Sequence, residues 1–162
     1  MNPGRTSMAM AQPKPDDTRV LRITRTFDAP RERVFRAWTE PEQLVKWWGP
    51  KGCTVPEHSI DVRVGGAWRT TMRSSEGNEH VVAGVYREIT PPERLVFTWA
   101  WETEGPRGHE TVVTIELRER DGGTELQLTQ ELFETETSRD MHNQGWSSCM
   151  ECLDETLREG VV

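Results

Sequence analysis

Residues 138–159, SRDMHNQGWSSCMECLDETLRE, carry Trp146, Cys149, Met150, Leu153 and Leu157 at helical spacing, so they read as an amphipathic helix with one apolar stripe. Such a stripe is stable only when a second layer covers it. The chain supplies that layer upstream. Segments 54–64, 67–74, 79–89, 95–102, 110–120 and 124–133 are rich in β-branched and aromatic residues and read as consecutive strands. The separators Gly65-Gly66, Ser75-Glu76-Gly77-Asn78, Pro91-Pro92-Glu93-Arg94 and Asp121-Gly122-Gly123 are too short for crossovers, so neighbouring strands run antiparallel. Only 103–109 is looser.

Working outward to the start, Leu21, Ile23 and Phe27 alternate with polar residues across 19–27, the period of a half-buried strand. Asp28-Ala29-Pro30 is a helix-start signal, with Asp28 as the capping carboxylate. Val34, Phe35 and Trp38 then share a face. Thr39 and Glu42 have the spacing of a capping box around Pro41, which starts a second short helix holding Leu44, Trp47 and Trp48. Gly49 supplies a left-handed cap and Pro50 forbids continuation. Adjacent helical residues diverge by about 100°, so Trp47 and Trp48 are not both expected inside; an outward one would support a homodimer.

A strand, two short helices, six strands and a long helix predict an α+β helix-grip fold: a seven-stranded curved antiparallel sheet around the C-terminal helix. Alternation places Trp68 and Met72 on one face of their strand, as it does Leu95, Phe97, Trp99 and Trp101. Val113, Ile115 and Leu117 follow, then Leu126, Leu128 and Leu132. The single domain spans 18–162. Residues 1–17, with Pro3, Pro13 and Pro15 and almost no large apolar side chain, are expected to be a disordered tail.

Lys plus Arg total 20 against 27 Asp plus Glu, a net charge of −7, the wrong sign for gripping a phosphate backbone. No nucleic-acid partner is expected. No run approaches the roughly 20 apolar residues of a membrane span, and 1–17 lack the apolar core of a signal peptide, which predicts a cytoplasmic protein. Cys53, Cys149 and Cys152 are an odd number and read as free thiols. Cys149 and Cys152 have redox-pair spacing, but they fall inside a helix, away from the positive end that activates thiols. No metal site and no cofactor site is expected.

The same segments carry a family pattern. Asp28-Ala29-Pro30, Val34-Phe35, Trp38-Thr39, Pro41 and Trp47-Trp48-Gly49-Pro50 open it. Asp61-Val62-Arg63-Val64-Gly65-Gly66-Ala67-Trp68, Gly84-Val85-Tyr86-Arg87-Glu88-Ile89, the run from Pro91 through Trp99, Gly122-Gly123-Thr124 and Gly145-Trp146 continue it. In this order the chain resembles the family related to the C-terminal domain of the heat-shock-protein-90 ATPase activator, within the START and birch-pollen-allergen (SRPBCC) superfamily. The resemblance spans roughly 19–158 and implies the helix-grip fold and a small stand-alone bacterial protein. Relatives across the superfamily bind lipids, polyketides and flavonoid-like aromatics, and some are cyclases or hydrolases. Chaperone activation is not expected, because no module like the N-terminal one of the eukaryotic co-chaperones is present.

A sheet curved around a helix tends to leave space between the two, and aromatic-lined space is a default ligand site. The first functional expectation is non-catalytic binding of a small hydrophobic or aromatic molecule by Trp68, Met72, Tyr86, Phe97, Trp99, Met141, Trp146 and Met150, with Trp101 in the same aromatic set. His58, alternating with Ile60 and Val62, is the expected polar contact. His142 is expected near the surface or the rim. The bland alternative makes the rings ordinary core and His58 a satisfied histidine. Two further readings stand: a cyclase- or hydrolase-type enzyme using His58 and Tyr86 on a bound carbonyl compound, and a co-chaperone-like interaction module.

Overall fold

The structure, a computed structural model, describes residues 18–102 and 109–159. The tail expected at 1–17 lies outside the described residues. Strand β1 (Leu21–Phe27) leads into helices α1 (Arg31–Thr39) and α2 (Pro41–Leu44). Strands β2 (Thr54–Ile60), β3 (Ala67–Arg73), β4 (Glu79–Thr90), β5 (Arg94–Glu102), β6 (Thr111–Arg120) and β7 (Gly123–Glu131) follow, then helix α3 (Glu136–Arg158).

The seven strands form one sheet in the order β1-β7-β6-β5-β4-β3-β2, with every neighbouring pair antiparallel. β1 and β2 are therefore opposite edges, and the α1–α2 segment carries the chain from one to the other. The predicted α+β helix-grip architecture is the one observed. Trp146, Cys149, Met150, Leu153 and Leu157, none more than 4 % exposed, join Ile23, Leu95, Ile115, Leu126 and Leu128 in a continuous core. Each large side chain so covered contributes about 2 kcal/mol.

Several local expectations fail for identifiable reasons. Asp28 does not cap α1: the extended residue before the helix is Pro30, and no side chain bonds its first turn. Thr39 sits inside α1, where its hydroxyl donates to the Phe35 carbonyl at 2.8 Å, so it is unavailable as a cap for α2. Glu40 takes the extended cap position instead, and its carboxylate accepts from Gln43 Nε2 at 2.7 Å. α3 begins two residues before the predicted Ser138, because Thr135 is extended and its Oγ1 accepts the Ser138 amide at 3.0 Å.

β2 stops at Ile60 rather than continuing to residue 64. The chain turns there, with Arg63 N bonded to Asp61 O and Gly66 N to Arg63 O; a Cβ on Gly66 would lie 2.1 Å from Asp61 O. Leu132, expected inside with Leu126 and Leu128, is 59 % exposed, since β7 ends at Glu131 and Leu132 turns out of the strand with φ +74°. The inward position after Leu128 is the fully buried Gln130.

Trp47 and Trp48 are both buried, at 1 % and 4 % exposure. The helical divergence does not apply to them, because α2 ends at Leu44 and both lie beyond it, with their rings edge-on to each other at 5.6 Å in one aromatic cluster. Trp47 stacks edge-on to Trp38 at 4.6 Å and donates to the Ala37 carbonyl, while Trp48 reaches Thr70 and Trp68 on the sheet. The homodimer argument drawn from an exposed tryptophan here is thereby removed.

Candidate functional site

The apolar stripe of α3 begins only at Trp146. Its first turns offer the sheet Met141, His142 and Gly145, and a Cβ on Gly145 would find its nearest neighbour, Pro50 Cγ, only at 4.0 Å. The layers consequently do not close there. A cavity of about 650 Å³ lies between this half of α3 and the β3–β4–β5 part of the sheet. Met72, His80, Val81, Trp99 and Trp101 line the sheet side, and Met141, His142, Trp146 and Cys149 the helix side. Trp48, Gly49 and Pro50, in the turn after α2, complete the wall. Met141, 68 % exposed, and the exposed His80 stand at a mouth open to solvent.

Gly49 is fixed by this geometry: its φ is +95°, and a Cβ would lie 3.0 Å from Met72 Sδ and 3.2 Å from Cys53 Cβ. Four indoles form the wall. Trp99 is 5.1 Å from Trp146 and 5.9 Å from Trp48 between ring centroids, and Trp101 meets it edge-on at 5.5 Å.

Each of these indole N–H groups is bonded within the protein. Trp48 Nε1 donates to Thr70 Oγ1 at 3.0 Å, and Trp146 Nε1 to Gln130 Oε1 at 2.7 Å. Gln130 in turn donates to Thr111 Oγ1 at 2.8 Å, and that hydroxyl to the Trp99 carbonyl. His142 Nε2 accepts from both Trp99 (3.3 Å) and Trp101 (2.8 Å). An indole only donates, so Nε2 carries the lone pair; the network thus assigns the proton to Nδ1, which donates to the Ser138 carbonyl at 2.8 Å. Burial pushes the basicity of this imidazole below its ordinary range, with the Ser138 bond partly opposing. His142 is therefore a neutral clamp on two wall tryptophans.

Of the residues expected to bind a ligand, Met72, Trp99, Met141 and Trp146 line the cavity. Trp68, Tyr86, Phe97 and Met150 do not: they are buried in the core beneath it, none more than 4 % exposed. His58 also lies elsewhere. Its register opposite Thr70 gives it the inner face, as alternation requires, but β2 is an edge strand and the side chain is exposed beyond the cavity. The His58–Tyr86 pair imagined for catalysis is not assembled there, and burial drives the Tyr86 hydroxyl pKa far upward.

Burial likewise raises the Cys149 thiol far above its ordinary range and the Cys53 and Cys152 thiols less strongly; Cys149 Sγ bonds the Trp47 carbonyl at 3.5 Å. No group of three metal-ligating side chains is assembled among the described residues. His80 is the lining residue that sequence reasoning missed. The signal was there: β4 alternation puts His80 on the face of the buried Val82, opposite Met72.

Solved structures share this fold. The AHSA1 protein of Silicibacter pomeroyi is 30% identical with a TM-score of 0.81, over 87% of this chain and 99% of that one. A Chromobacterium violaceum protein is 33% identical with a TM-score of 0.75, over 85% and 95%. One from Nitrosomonas europaea is 29% identical with a TM-score of 0.76, over 90% and 97%. Comparison with curated proteins returned no significant match. The family model described as Activator of Hsp90 ATPase homolog 1-like protein matches residues 28–158, covering the clamp, the indole wall and most of the sheet, and the chain belongs to that family.

Proposed function

We propose that this protein is a non-catalytic binding protein for a small hydrophobic, aromatic molecule held between the sheet and α3. The observation that carries the reading is the indole wall. Four tryptophans border about 650 Å³ of solvent-open space, with every N–H already satisfied by the protein. Such rings offer a guest apolar faces and edges without leaving donors that water must solvate. Met72 and Met141 add flexible, polarizable contacts able to fit more than one shape. The volume suits a molecule of two to four fused or linked rings, within the roughly 300–1,000 Å³ typical of small-molecule pockets.

Titration with 1-anilinonaphthalene-8-sulfonate, followed by probe emission and tryptophan quenching, tests this directly. Saturable one-to-one binding that weakens about tenfold in Trp99→Ala is expected, with the variant still folded by circular dichroism. Absence of saturable binding by this probe and by uncharged naphthalene would remove the reading.

A further inference from the structure

On the inner face of the cavity wall, every polar side chain but one is engaged with the protein. Trp48, Trp99, Trp101 and Trp146 donate to protein acceptors, and both nitrogens of His142 are engaged. Glu79 and Glu102 border the cavity but pair with Arg73 and Arg69, respectively, at 2.5 and 2.9 Å. By register Glu79 sits opposite Arg73 and Glu102 opposite Val81, so both belong to the outer face. His80 remains. It stands opposite Met72 on the inner face, exposed at the mouth, with its ring edge-on to Trp101 at 6.3 Å. Neither of its ring nitrogens has a hydrogen-bond partner among the described residues.

We propose that His80 is the ligand-orienting residue of this pocket. Its preferred occupant is then a flat aromatic molecule with one hydroxyl at the mouth and an otherwise apolar surface. The inference rests on the pocket reading above and adds an orientation to it. A neutral imidazole has one donor and one acceptor, which matches a hydroxyl that both gives and takes a hydrogen bond. A second hydroxyl at the inner end would meet indole faces and methionine, with no side-chain partner left to replace its lost water. That should cost about tenfold or more in affinity.

Calorimetric titration with naphthalene, 2-naphthol and 2,6-dihydroxynaphthalene tests the proposal. The wild-type protein should bind 2-naphthol about three- to tenfold more tightly than naphthalene, and the diol more weakly than 2-naphthol. His80→Leu should abolish the 2-naphthol preference, bringing its affinity to within about twofold of the same variant's affinity for naphthalene. His80→Gln, which keeps a donor and an acceptor, should retain part of it. Equal affinity of the wild type for 2-naphthol and naphthalene, tighter binding of the diol, or a preference that survives His80→Leu would each overturn the inference while leaving the pocket in place. If none of the three binds, the pocket reading fails and the orientation falls with it.

Discussion

Six of the seven tryptophans divide into two groups held in different ways, while Trp47, packed in the core yet bonded to the Ala37 carbonyl, stands between them. In the inner group, Trp38 and Trp68 are 2 % and 3 % exposed, and the Nε1–H of each is buried without a hydrogen-bond partner. They are fixed by packing. Trp38 touches Trp47, Trp48, Phe97 and Trp146, while Trp68 lies edge-on to Phe97 at 5.6 Å. In the outer group, Trp48, Trp99, Trp101 and Trp146 border empty space, and every indole N–H is tied. A ring surrounded by atoms stays in place through dispersion and shape, even with a donor left bare. A ring with a cavity on one side lacks that support, and a directional bond supplies it.

The sharpest way to break the packed group is Gly84→Ala. A Cβ there would lie 1.8 Å from the Thr98 carbonyl oxygen and 2.6 Å from Trp68 Nε1, and no side-chain rotation relieves a clash with backbone. Loss of about 4 kcal/mol or more of stability is expected in urea denaturation. Next in size, Trp38→Ala and Trp101→Ala should separate the two groups. The first empties a filled core and should cost about 3–5 kcal/mol. The second should cost about 1 kcal/mol, because Trp101 is only half-buried, yet weaken anilinonaphthalene binding about tenfold. Equal stability losses would erase the distinction drawn above.

The smallest effect concerns the clamp. The folded protein holds His142 neutral and lowers its pKa, so between the folded and unfolded values the unfolded chain binds more protons. The clamp's contribution is therefore complete above the unfolded pKa of about 6.5 and is lost as pH falls through the lower folded value. Protonated Nε2 cannot accept from either indole, so the Trp99 and Trp101 indole N–H resonances should move together on acidification. Stability should fall with them. His142→Gln should flatten that part of the stability profile, and an unchanged slope would show that another group dominates it.

Much of this fold was readable along the chain. The period of 3.6 in α3 and the period of 2 in β5 and β6 fixed which elements exist, and short turns fixed their antiparallel order. The same alternation named Met72 and Trp99 as wall residues and, applied to β4, would have named His80. It misassigned Leu132, because a strand's last residue is decided by where the next element must start.

Periodicity is a property of neighbours in sequence, and it says which way a side chain points. It does not say what that side chain meets. His58 and His80 both point inward, yet one lies beyond the covered end of an edge strand and the other at the mouth of a cavity. Trp99 and Trp101 are tied to His142 across 43 and 41 residues, a pairing no local pattern contains. The empty volume is likewise set by where the stripe of α3 begins relative to three strands far from it in the chain. The sequence alone determined the elements, their order and their faces; only the tertiary structure decided which inward faces meet matter and which meet space, because volume belongs to pairs of layers and not to either one.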